Sequence, residues 1–114
     1  MAHYQLVVLT NAAAGRDEEF NAWYDGQHLP DVLSVPGFVS AQRFRLAPAS
    51  GHTAWSYLAI YDVETDDPAK AMAELEARAA SGQMAMSDAA DLSNATVFFA
   101  SALGPKVAAP GKLD

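Results

Sequence analysis

The chain has 114 residues, enough for one hydrophobic core and too few for two. Apolar residues make up 51% and charged residues 18%, which excludes a disordered tail, and no apolar run approaches the length of a membrane span. A net charge of −7 argues against nucleic acid or anionic membrane as partner, since both require clustered Lys and Arg, and zero cysteines exclude disulfides, thiolate metal sites and cysteine nucleophiles. The first residues carry no basic segment followed by an apolar one, so the expectation is a cytoplasmic protein with no signal peptide.

Residues 4–10 (YQLVVLT) are β-rich and predict a first strand. The period then changes. Phe20, Trp23, Tyr24 and His28 fall at i, i+3, i+4 and i+8, one face of a helix from Arg16 to Leu29, with Asp17, Glu18 and Glu19 in the first turn where the dipole favours negative charge. Pro30 ends or kinks that helix and opens a second short turn, Asp31 to Val35, stopped by Pro36-Gly37. Strands are predicted over 37–46 and 54–63, joined by a hairpin loop, and Asp66 or Asp67 before Pro68 announces a helix over 68–81 that stops at Gly82. Residues 83–94 read as a loop, 95–103 as the last strand. Residues 1–104 are thus a single domain and 105–114 a flexible C-terminal tail.

The order is β-α-β-β-α-β: an α+β, ferredoxin-like plan with a four-stranded antiparallel sheet and two helices on one face. The other face should then be polar if it meets water. It is not: in the first, third and last strands both alternating sets are largely apolar, for example Leu6 and Val8 against Val7 and Leu9. An exposed patch of that size predicts a second copy packed sheet to sheet, a homodimer.

The segment from Phe20 to Phe38 carries a Trp-Tyr pair, then His-Leu-Pro, then Pro-Gly-Phe opening the second strand, with Arg43 inside that strand. In these features the sequence resembles the dimeric α/β-barrel superfamily, most closely its EthD-like branch. The resemblance implies a ferredoxin-like fold that dimerises through its sheets into an α/β barrel. It leaves the reaction open, because the superfamily holds cofactor-free monooxygenases, lactone isomerases, polyketide cyclases, dehydratases, lyases and haem enzymes.

His28 is the candidate proton carrier. It sits at a helix C-terminus with Asp25 and Asp31 three residues to either side, which favours the imidazolium unless burial opposes it. An imidazole that exists in either state near neutrality moves protons in either direction; the plain alternative, a carbonyl cap, stays open beside it. Tyr24 is a candidate donor to a substrate oxygen, and Asp31 a candidate carboxylate orienting the imidazole. Phe20, Trp23, Arg43, Tyr57 and Phe98 are candidate substrate-binding residues, although each has an ordinary packing or edge-strand reading as well. Met84 and Met86 are read as a docking segment or an adaptable lid.

No metal site is expected, since His3, His28 and His52 lie in different segments without ligand spacing, and His3 and His52 read as solvent-exposed. No glycine-rich phosphate loop opens a helix, so no cofactor is expected. The reading is a small cofactor-free enzyme acting on a hydrophobic carbonyl or phenolic molecule by His-mediated proton transfer, as an isomerase, dehydratase, cyclase or lyase. Two alternatives stay open: a cofactor-independent monooxygenase of a phenol, and a non-catalytic ligand-binding or stress-related dimer.

Overall fold

The computed structural model describes residues 2–47 and 54–111. Four strands, β1 (His3–Ala12), β2 (Phe38–Arg45), β3 (Tyr57–Glu64) and β4 (Ala90–Ala100), form one antiparallel sheet in the order β2-β3-β1-β4. Helices α1 (Asp17–Trp23) and α2 (Leu29–Leu33), joined by a π turn (Tyr24–His28), and α3 (Pro68–Ser81) complete the βαββαβ order. The expectation of an α+β, ferredoxin-like fold is met. His52, expected in the hairpin loop, lies outside the described residues.

Strand alternation sorts the sheet faces. Leu6, Tyr57, Ala59, Tyr61 and Val63 are buried beneath the helices and pack with Phe20, Tyr24, Val32, Val35 and Phe38 into one core. The opposite face sets Val7, Leu9, Leu58, Ile60, Phe44 and Phe98 side by side by strand register, and Phe44 and Phe98 are 38% and 45% exposed. One end of this open face is polar: Asp62 accepts from Ser40 Oγ at 2.7 Å, and His3 Nε2 lies 3.3 Å from its carboxylate.

Helix α3 keeps its predicted bounds. The Asp67 carboxylate accepts from the Lys70 amide at 3.1 Å as its N-cap, Pro68 fills the first position, and Gly82 ends it at φ +84°. The first helix differs from expectation. It does not end at Pro30 but continues to Leu33 through a single widened turn, in which the Leu29 amide donates to the Tyr24 carbonyl five residues back. Pro30 has no amide to continue the ladder and its ring crowds the carbonyl four residues earlier, so a wider turn ahead of it relieves the conflict. The last strand also begins earlier than predicted, at Ala90, because a shift of register after Leu9 lets Asn11 and Ala12 pair with Asp91 and Ala90. Residues 101–111, including the part of the predicted tail that is described, are exposed and lie outside helices and strands. Among the described residues no helix is long and apolar enough to cross a membrane.

Candidate functional site

The π turn brings together side chains that an α-helix would separate. Residues five apart stand about 140° apart around an α-helix, whereas an i+5 turn places them almost in line. The Trp23 and His28 rings accordingly stack, 4.6 Å between centroids and 25° between planes, while the Tyr24 ring meets His28 edge to face at 4.8 Å. Trp23 is itself fixed: its indole N–H donates to the Ala85 carbonyl at 2.7 Å.

These rings wall a cavity of about 210 Å³ between the helices and the sheet. Phe20, Val32, Met72, Leu75 and Met84 supply much of its apolar lining, and Val8 and Val97 contribute from the sheet. A cavity of about 150 Å³ with similar walls holds one benzene ring, so this one has room for a ring with a substituent. The polar groups around it are few: Thr10, Tyr24, His28, Tyr61 and, as its one carboxylate, Glu76. Met84 and Met86 both line it. Their segment is tied to the helix by the Trp23 bond and by the Ala85 amide, which donates to Asp31 Oδ2 at 3.4 Å.

His28 is half-buried, and its Nδ1 is sealed from solvent with no hydrogen-bond partner among the described residues. Burial disfavours the charged ring and lowers its pKa from 6.5 to about 4; the Asp31 charge raises it in part and the Arg43 charge lowers it further. The helix-end and carboxylate effects expected to raise this pKa are thus outweighed by desolvation. Asp31 acts on the imidazole only through space. Its carboxylate accepts from Gln27 Nε2 at 2.8 Å and from the Ala85 amide, and makes no hydrogen bond to His28.

The other predicted residues divide into two groups. Phe20, Trp23 and Tyr24 share the cavity with His28. Arg43 and Tyr57 do not line it; they border a separate cleft with Asn21, Asp25, Phe44 and Arg45. Arg43 stands behind the cavity wall, its guanidinium 4.3 Å from the centre of the Tyr24 ring, donating to Asp25 Oδ1 at 3.0 Å and Asn21 Oδ1 at 2.7 Å. The Tyr57 hydroxyl is spent on Asp17, to which it donates at 2.6 Å. Phe98 lies on the open face of the sheet opposite Val7, because alternation turns Val97 rather than Phe98 toward the helices.

Tyr61, which strand alternation offers together with Tyr57 as a residue that could line a cavity, is the one of the two that does. Its hydroxyl lies 2.8 Å from that of Tyr24 within the core. Alternation along β3 put Tyr61 and Tyr57 on one face and offered no means of choosing between them. No group of three or more His, Cys, Asp or Glu side chains placed to hold a metal occurs among the described residues.

Compared with family models and with curated proteins, the sequence matches none. Solved structures do match. A putative monooxygenase from Shewanella loihica PV-4 superimposes with TM-score 0.62 at 13% identity, covering 91% of this chain and 97% of that one. An EthD family protein from Bacillus halodurans C-125 gives 0.58 at 14% identity, over 89% and 99% of the two chains. HapK from Hahella chejuensis gives 0.53 at 16%, over 93% and 98%. At such identities the likeness is one of architecture: this chain has the ferredoxin-like fold that the EthD family protein and its two companions share.

Proposed function

We propose that the cavity is the active site of a small enzyme that moves a proton on a hydrophobic carbonyl or phenolic molecule, with His28 as the carrier. One observation carries this reading: an imidazole whose buried Nδ1 has no hydrogen-bond partner among the described residues lines an otherwise largely apolar cavity the size of a substituted ring. Burial of such a group costs stability, which a merely structural position would have relieved with an apolar side chain or a partner. At neutral pH the ring is uncharged and Nε2, which has no partner among the described residues, is left to meet a ligand. In the proposed step the proton leaves a C–H beside the carbonyl, or a phenol O–H, and goes to Nε2. The electron pair left behind lodges on the ligand oxygen as an enolate or phenolate. Tyr24 faces that oxygen, and the Asp31 charge favours the imidazolium as it forms.

Reprotonation at a different atom makes the same step an isomerisation; loss of a neighbouring group makes it a dehydration or a lyase reaction. A second reading, oxygenation of a bound phenolate by dioxygen, is favoured by the likeness to the Shewanella loihica protein and needs the same proton transfer first. We also infer a homodimer through the open sheet face, supported by the exposed Phe44 and Phe98 beside Val7, Leu9, Leu58 and Ile60.

Deuterium exchange at the carbon beside the carbonyl, followed by proton NMR for a panel of aryl ketones in heavy water, tests the reading. The protein should accelerate exchange, and His28→Ala should lose about 10²–10⁴-fold of it with folding retained. Binding without accelerated exchange would give the protein to the non-catalytic alternative, and equal exchange by the variant would remove His28 from the role.

A further inference from the structure

The Tyr24 and Tyr61 hydroxyls, 2.8 Å apart, have no other hydrogen-bond partner among the described residues, and both residues line the cavity. The pair carries two protons and makes one hydrogen bond. One O–H is spent in it and the other, on the accepting oxygen, is left without a protein acceptor. An idle O–H in an apolar wall is costly, and a ligand oxygen would relieve it.

Either hydroxyl can donate by the geometry of the pair; the Arg43 guanidinium, 4.3 Å from the centre of the Tyr24 ring, singles out Tyr24, because a cation there strengthens its O–H as a donor toward a ligand oxygen and leaves Tyr61 as the donor behind it. Burial pushes the Tyr61 phenol up, and the neighbouring Tyr24 adds to the effect. Burial raises Tyr24 too, but there the bond with Tyr61 and the Arg43 guanidinium against the ring work in the other direction. Charge also restricts the ligand. Among the described residues no Lys or Arg lines the cavity, its one carboxylate is Glu76, and Arg43 is turned outward onto Asp25 and Asn21.

We propose that Tyr61 is a positioning residue: it donates to Tyr24 and so presents the Tyr24 O–H to a ligand carbonyl oxygen, selecting a neutral aryl ketone over the matching hydrocarbon or carboxylate. The proposal rests on the functional reading above and adds to it the source of oxygen recognition and the charge of the ligand.

The test uses the full-length protein and three probes: acetophenone, 2-phenylpropene, which has CH₂ in place of the oxygen, and benzoate. Calorimetry gives affinities, and infrared spectroscopy of carbonyl-labelled acetophenone gives the C=O stretching frequency, which falls when a donor engages the oxygen. Wild-type protein should bind acetophenone about tenfold more tightly than 2-phenylpropene, bind benzoate more weakly than either, and lower the C=O frequency. Tyr61→Phe should return the band part of the way toward its free value and shrink the acetophenone preference. Tyr24→Phe should abolish both, and 2-phenylpropene affinity should hold in each variant. A wild-type band at its free position overturns the proposal without recourse to any variant, and so does a Tyr61→Phe protein identical to wild type. Equal binding of the two neutral probes defeats the proposal while leaving the cavity reading intact; failure of both to bind defeats the cavity reading as well.

Discussion

Replacing His28 with Phe should make the protein more stable, and more so as the pH falls. Two costs are removed together. The sealed Nδ1, which has no partner, is replaced by carbon, a gain of about 1 kcal/mol at pH 7 on the scale for an unsatisfied buried polar atom. The second cost depends on pH. The folded ring titrates near 4 and the unfolded one near 6.5, so between these values the unfolded chain binds the additional proton. Stability is therefore fully present above about pH 6.5 and is lost as the pH falls toward 4, below which both states are protonated. The linked free energy over that window is about 2–3 kcal/mol. Urea denaturation of wild type and His28→Phe at intervals from pH 7.5 to 4 gives the difference curve, in which the common titrations of His3, His52 and the carboxylates cancel. The curve should start near +1 kcal/mol and climb through the window. His28→Leu should climb in the same way, separating ring size from titration. A flat difference curve, or a variant less stable than wild type throughout, would refute the assignment of His28 as a desolvated, partnerless group.

Gly37 lies at φ +94°, and a Cβ there would meet the Glu64 carbonyl oxygen at 2.8 Å, so Gly37→Ala should lower unfolding stability by about 2–3 kcal/mol in a denaturant titration. Sedimentation velocity should show the wild type as a dimer and a Phe44→Lys, Phe98→Lys double variant as a monomer, since both rings stand on the open face; a monomeric wild type would end the sheet-to-sheet proposal.

What the sequence disclosed follows the range of the interactions involved. The helix over 68–81 was readable to the residue because its signals, Asp67, Pro68 and Gly82, act within a turn of where they sit. The gathering of Phe20, Trp23, Tyr24 and His28 was readable because they lie on one helix. The manner of it was not: the i+5 hydrogen bond is a choice between neighbouring carbonyls, and apolar spacing does not report that choice. Strand β4 was predicted five residues late because Ala90–Asn94 holds one large apolar residue, Leu92, among small and polar ones, and it pairs only where β1 shifts its register to receive it. Arg43 was placed inside the second strand, yet its direction depends on Asn21 and Asp25, which reach it across the fold. The contact between Tyr24 and Tyr61, 37 residues apart, is likewise a product of tertiary packing.

The widened turn ties the candidate site to chain length as well as to composition. Delete one residue between Trp23 and His28 and the extra residue of that turn is gone: the backbone can close into an unbroken α-helix in which tryptophan and histidine stand four apart, about 40° around the axis. The two rings would stay neighbours though the turn that joins them here had vanished. Kin of this chain with a helix shorter by one would hold the pair at i, i+4 without any widened turn, whereas kin of equal length need the i+5 bond to join it, so spacing and residue identity are to be compared together among them.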